Sequence, residues 1–277
     1  MNAKTHKNLE AKLLFCAVYF AAFVTFGMLF YIIGYILVKG IPHLSLDFFS
    51  LTYNSDNVSM VPAAVNTVTM AVMTLLIVVP IGIGAAIYTV EYAKRGSKLV
   101  KVVRITTETL SGIPSIVYGL FGVLFFVTAM KWDRSMLAGA CTLAIMVLPT
   151  IMRTTEEALQ SVPDSYREAS FGLGAGKLRT VFQVVLPSAV PGILSGVILA
   201  IGRIVGETAA LIYTSGTIAK IPGSIMESGR TLALHMWTLA NEGLHEDKAY
   251  ATAVILLVLV IGINMLSSCV ARKLMKN

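Results

Sequence analysis

Six long apolar runs, at residues 13–38, 63–90, 106–130, 136–152, 189–213 and 251–270, decide what this chain can fold into. A hydrocarbon core about 30 Å thick is crossed by roughly 20 helical residues. Only 13% of the residues are charged and 56% are apolar, whereas a soluble domain carries roughly 25% charged residues. In lipid every backbone polar group has to be satisfied inside the segment or inside a closed barrel. Barrel strands alternate in polarity over about 10 residues, and these runs do not alternate. The expected fold class is an all-α integral membrane protein with six transmembrane helices, a single domain over residues 1–277.

Basic residues set the orientation. Lys4, Lys7, Lys12, Lys94, Arg95, Lys98, Lys101, Arg104, Arg153, Arg167, Lys177, Arg179, Arg272, Lys273 and Lys276 fall on one side, fifteen in all. Six fall on the other: Lys39, Lys131, Arg134, Lys220, Arg230 and Lys248. The excess places both termini in the cytoplasm. The first run is too long for a secretory leader and has no small-x-small cleavage site, so it is expected to remain as a span. The net charge of +7 then reflects insertion and contact with anionic membrane lipid. No aromatic interleaving suggests a nucleic-acid partner. Cys16, Cys141 and Cys269 lie inside spans without metal-ligand spacing and read as small buried apolar residues.

The longest cytoplasmic connection is 153–188. Pro163 breaks the preceding helix, and Ser165 followed by Glu168 has the spacing of a capping box that opens a new one. Gly172, Gly174 and Gly176 permit a bend. Leu178, Val181, Phe182 and Val185 then form one apolar face, which Leu186-Pro187 is expected to end. Such a helix lies either on the bilayer or in a groove of another protein. Gly174-Ala175-Gly176-Lys177 is not a phosphate-binding loop: Phe171 replaces the first glycine and Leu178 the magnesium-holding hydroxyl residue. This chain is therefore expected to hold no nucleotide, and any energy from ATP would come from a separate subunit; no cofactor, catalytic residue or metal set of its own is expected.

Arg203 and Glu207 lie inside the fifth run, four residues apart, so on one helical face they would pair. A charge in the bilayer centre costs about 2.5–3.5 kcal/mol and faces the bundle interior or a wet path. Either the two neutralise each other, or Arg203 offers its planar fork to an anion while Glu207 holds it. Gly202 and Gly206 beside them allow close packing or open space. Arg153 ends the fourth run, as an orienting charge or an exit-side anion contact, and Glu108 at the start of the third could answer either arginine. On the other side of the membrane, within 214–250, Ile225, Leu232, Met236 and Leu239 follow helical spacing and Gly243 fits a helix stop. That segment either packs on the bundle or docks a soluble partner. His6, His43, His235 and His245 lie outside the spans and form no catalytic set, which argues against a membrane enzyme.

Glu168-Ala169-Ser170, then Gly174, then Val184-x-Leu186-Pro187 resembles the cytoplasmic signature of permease subunits of bacterial ATP-binding-cassette (ABC) importers, whose usual form is Glu-Ala-Ala, Gly, Ile-x-Leu-Pro. The resemblance implies a type I importer permease in which Glu168, Ala169, Ser170, Gly174, Leu186 and Pro187 couple to an ATPase. Arg203-Ile-Val-Gly206-Glu207-Thr208-Ala209, Arg153-Thr154-Thr155-Glu156, Glu108-Thr-Leu-Ser-Gly-Ile-Pro114-Ser115 and Val162-Pro163-Asp164-Ser165 are similar to the A-type permease branch of phosphate-specific importers. That resemblance implies a heterodimer with a second homologous permease, two ATPase copies and a soluble phosphate-binding protein, in the bacterial inner membrane. Arg203, Arg153, Glu207 and Glu108 would then line the phosphate pathway. A permease for another oxyanion, such as phosphonate or molybdate, and a non-transporting anchor of a signalling assembly are the alternatives.

Overall fold

The structure, a computed structural model, describes residues 3–94 and 96–274, with side chains described for 12–94 and 96–269. Arg95 and Lys276 lie outside the described residues, as do the side chains of Lys4, Lys7, Arg272 and Lys273. All regular structure among the described residues is helical. The long helices are α1 (Ala3–Gly40), α2 (Val61–Ile87), α3 (Lys98–Ser111), α5 (Met136–Gln160), α8 (Leu186–Val205) and α11 (Glu246–Leu274). Shorter ones are α4 (Ser115–Gly122), α6 (Asp164–Gly172), α7 (Lys177–Thr180), α9 (Ala209–Thr214) and α10 (Leu232–Glu242).

Lipid tails are as apolar as leucine, so membrane helices associate through close packing rather than through the hydrophobic effect. The centre of the bundle follows that rule. α5 carries Ala138, Gly139, Ala140 and Ala144, and α2 and α8 pack directly on it. A side chain at Gly139 would collide with Met70, Leu211 and Ser215, and one at Gly82 with Ile151. Met70, Leu143, Met146, Val147 and Ile151 fill the interior between these helices. By contrast α1 packs on α11 and leaves Phe15, Tyr19, Phe20 and Phe23 on the outer surface. Cys16 and Cys269 are exposed there too and Cys141 is half-buried, which corrects the expectation that all three are buried.

Among the described residues five helices are long and apolar enough to cross a membrane, and there are six if the bent pair is one span. Three boundaries differ from the sequence reading. The run at 106–130 is not one rod: α3 and the segment Ser115–Ala129 meet at 105°. Pro114 lacks an N–H and pushes Ile113 out of the helical region, and Tyr118 Oη donates to the exposed carbonyl of Leu110 at 2.7 Å across the bend. Leu186-Pro187 does not end a helix. α7 runs through a π-helical turn, Val181–Val185, into α8, forming one span, Lys177–Val205; the wider turn accommodates the missing donor of Pro187. The capping box is also absent: α6 begins at Asp164, one residue after Pro163, so Ser165 is inside the helix and not at its cap.

Outside the spans, α10 buries Leu232, Leu234 and Leu239 and packs on α11 and α2. Gly243 closes it in the left-handed region at φ +68°. Ile225 is not part of it, because the segment before α10 is a loop whose Ile225 and Glu227 carbonyls accept from Leu137 and Met136 at the start of α5. His235, fully buried, packs edge-on against Tyr53, over whose ring the Arg230 guanidinium lies at 4.7 Å. Burial, then the Arg230 charge, pushes the His235 imidazole down to about 3 from its ordinary 6.5. It is neutral when folded and takes a proton when unfolded, so its contribution is full above pH 6.5 and is lost as pH falls toward 3. The detergent-solubilised protein should lose about 1.4 kcal/mol per pH unit in that window. Thermal unfolding followed across it should show a flatter slope for His235→Phe than for the wild type.

Candidate functional site

Three clefts adjoin, the first two lined by α5 and α8 and the third by α3 and the segment before it. The first, about 540 Å³, is lined by Arg203 and Gly202 near the end of α8, by Thr150, Ser195 and Leu199, and by Asn264 of α11. Its lining contains one charge and no carboxylate. The Arg203 side chain is exposed into it. No atom lies within 4 Å of where a Gly202 side chain would begin, so that glycine keeps space open and does not serve helix packing. Asn264 Oδ1 is buried without a hydrogen-bond partner.

Thr150 and Leu199 also line the second cleft, about 460 Å³, together with Arg104, Glu108, Arg153, Glu156 and Glu157. Arg153 Nε donates to Glu157 Oε1 at 2.9 Å, and the Glu108 carboxylate lies within electrostatic reach of Arg153. Arg104 Nε stands 3.4 Å from Glu156 Oε2, while Thr89 Oγ1 donates to Glu156 Oε1 at 2.6 Å. Arg104 and Glu108 line the third cleft as well, about 480 Å³, with Lys94 and Lys101. Arg203 and Arg153 thus line adjoining clefts that share Thr150 and Leu199, and Glu108 lines the second and third.

Glu207 lines none of these three clefts. It is buried, and its Oε1 accepts the Ala210 N–H at 3.1 Å, capping α9. Among the described residues it forms no ion pair with Arg203. The reason is local: α8 ends at Val205 and Thr208 leaves the helical region, so positions 203 and 207 no longer share a face. The expected Arg203–Glu207 pair is corrected accordingly.

Below the clefts, α6 and α7 form an elbow. Gly174 has φ +81° with open space around it. Its N–H donates to Phe171 O at 2.9 Å, and the Ala175 N–H to Ser170 O at 3.1 Å, the pattern of a left-handed helix end. The Ser170 and Thr180 hydroxyls, both buried, lie 2.8 Å apart and tie the two arms together. Glu168 and Ala169 are exposed; so are the apolar Phe171, Leu173 and Leu178, Leu173 to 90%. Leu186 and Pro187 stand away from this tip, inside the span. Arg167, the neighbour of Glu168, turns inward to Glu91 of the π-helical turn after α2, Nη2 to Oε1 at 2.7 Å.

The family model of the binding-protein-dependent transport system inner membrane component matches residues 78–276. The chain belongs to that family. As such it is the permease component of an ABC importer, a multi-pass membrane protein and not itself an enzyme. A probable ABC transporter permease protein, YqgI of Bacillus subtilis, is 36% identical over 77% of this chain and 78% of the relative. The phosphate transport system permease protein PstA of Pasteurella multocida is 38% identical over 76% and 75%. Among solved structures, a bacterial ABC transporter importing the acidic polysaccharide alginate superposes with a TM-score of 0.69 at 17% identity, covering 98% of this permease and 99% of that chain. At that identity the likeness is one of fold.

The sequence reading passed over Asn264, Arg104, Glu156 and the Arg167–Glu91 pair. Asn264 carried a signal, a carboxamide inside the last apolar run, where polar residues are costly. Arg104 and Arg167 looked like orienting charges, and nothing in their spacing points to partners 52 and 76 residues away.

Proposed function

We propose that this permease carries inorganic phosphate inward, and the observation that carries the reading is Arg203. A guanidinium facing a 540 Å³ cleft with no carboxylate in its lining is suited to a tetrahedral oxyanion, because its planar fork donates two parallel hydrogen bonds. The PstA relative supports phosphate, whereas the YqgI relative is named for no cargo. In this reading both termini face the cytoplasm of a bacterial cell with the protein in its inner membrane. A second homologous permease completes the pore, a soluble binding protein delivers phosphate, and two copies of an ATPase subunit hydrolyse ATP with magnesium. Radiolabelled phosphate uptake by cells expressing the complete system, with and without ATP depletion, tests it. Uptake that is insensitive to depletion, or displaced more readily by molybdate or phosphonate than by phosphate, would replace the cargo.

The elbow is the proposed contact with the ATPase: Glu168 and Ala169 beside the bare Phe171 and Leu173 offer a polar and apolar tip for a groove. Gly174→Val forces a β-branched residue into the left-handed region, at a cost of about 1–3 kcal/mol. Phosphate uptake should fall at least about tenfold, the equivalent of 1.4 kcal/mol, while ATP hydrolysis continues. Gly174→Asn, which tolerates that backbone region, should retain most uptake. Parallel measurement of ATP hydrolysis and uptake checks both, and equal uptake by the valine variant would show that the elbow's shape is immaterial.

A further inference from the structure

The second cleft is awkward ground for an anion. Three carboxylates, Glu108, Glu156 and Glu157, face two guanidiniums there. The first cleft holds Arg203 as its single charge, and the third holds Lys94, Lys101 and Arg104 against Glu108. An anion leaving Arg203 therefore crosses an acidic collar before it meets a basic mouth.

The two arginines of the collar differ. Arg153 is 72% exposed and turns its Nε to Glu157 on its own helix at 2.9 Å. Arg104 is half-exposed, lines both the collar and the mouth, and touches Glu156 at 3.4 Å, longer than a charge-assisted hydrogen bond of about 2.7–2.9 Å. Glu156 itself is firmly placed, 13% exposed and held by the Thr89 hydroxyl at 2.6 Å. A loosely held guanidinium beside a fixed carboxylate can turn to a passing anion and come back.

We propose that Arg104 is an anion contact at the far side of the collar, taking the oxyanion after Arg203, with Glu156 reclaiming the guanidinium between passages. This rests on the phosphate reading above. The planar fork matches two oxygens of the cargo, and the competing carboxylate limits how long the anion stays.

The test is radiolabelled phosphate uptake by cells carrying the complete system, with each variant's abundance in the membrane measured alongside. Arg104→Gln should lower the rate at saturating phosphate by about tenfold or more with the half-saturating concentration changed by less than about twofold, since the residue acts after capture. Glu156→Gln, which leaves the cation in place but removes its competitor, should let the anion stay longer and lower the rate by about threefold, with the half-saturating concentration falling alongside. Equal losses in the two variants would make the pair a strut between α3 and α5 and overturn the proposal, as would a wild-type rate for Arg104→Gln. Should Arg104→Gln not accumulate, Arg104→Lys decides: charge without the fork should slow uptake about threefold, and an unchanged rate overturns the contact. Absence of phosphate uptake by the wild-type system would overturn the cargo reading and this inference with it, a result distinct from the variant outcomes.

Discussion

Arg203→Ala is expected to abolish phosphate uptake while the subunit still inserts and assembles. The side chain faces the first cleft, is exposed there, and forms no ion pair among the described residues, so nothing in the interior depends on it. On the phosphate reading, what the variant loses is the charge that would attract the cargo. Hydrogen bonds to a charged group contribute about 1.5–3 kcal/mol each, and a bidentate contact supplies two. Uptake at low phosphate should therefore fall by about a hundredfold or more, with 1.4 kcal/mol equivalent to a factor of ten. Arg203→Lys keeps the charge but not the fork and should be intermediate. Phosphate uptake, read beside recovery of the variant with its partner subunits, checks the expectation. Normal uptake by the alanine variant would remove the anion role from this residue.

Arg167→Ala should have the largest effect on stability. Its guanidinium reaches Glu91 Oε1 from both Nη2 and Nε, at 2.7 and 3.2 Å. It also donates to the carbonyls of Val162 at 2.8 Å and Leu159 at 3.0 Å. The two side chains are 15% and 8% exposed. Removing one partner of a buried pair leaves the other charge without compensation, at about 3–5 kcal/mol, a large part of a total of about 5–15 kcal/mol. Thermal unfolding of the solubilised variant should show a marked drop, together with lower abundance in the membrane. The double replacement Glu91→Leu with Arg167→Met should recover part of the loss, because an apolar pair of similar size avoids the stranded charge. The recovery should be incomplete, since the Val162 and Leu159 carbonyls still lose their donor. A melting temperature for Arg167→Ala equal to that of the wild type would show that the pair adds nothing.

The helical class was legible because apolar length is a direct consequence of the solvent. Where helices break was much less so, and proline shows why. Pro114 and Pro163 stand at breaks, yet Pro80, Pro149 and Pro191 sit inside continuous helices and Pro187 follows a π-helical turn. The outcome depends on neighbouring helices and on local widening of the turn, neither of which is written at the proline itself. Arg203, Arg153 and Glu108, where charge interrupts or borders an apolar run, do line the clefts. Glu207 does not pair with Arg203, because spacing of four implies a shared face only while the helix continues, and α8 stops at Val205. Arg104–Glu156 and Arg167–Glu91 connect segments distant in sequence, and such pairings emerge only from packing.

The continuity of Lys177–Val205 makes the elbow and Arg203 two ends of a single lever. At 1.5 Å per residue the rod is about 43 Å long, and a tilt of about 5° at its foot carries the other end sideways by roughly 4 Å on that length. A displacement of that size exceeds the reach of a hydrogen bond. A push at the elbow can reach Arg203 along this span, with the π-helical turn Val181–Val185, Pro187 and Pro191 setting how much of it arrives.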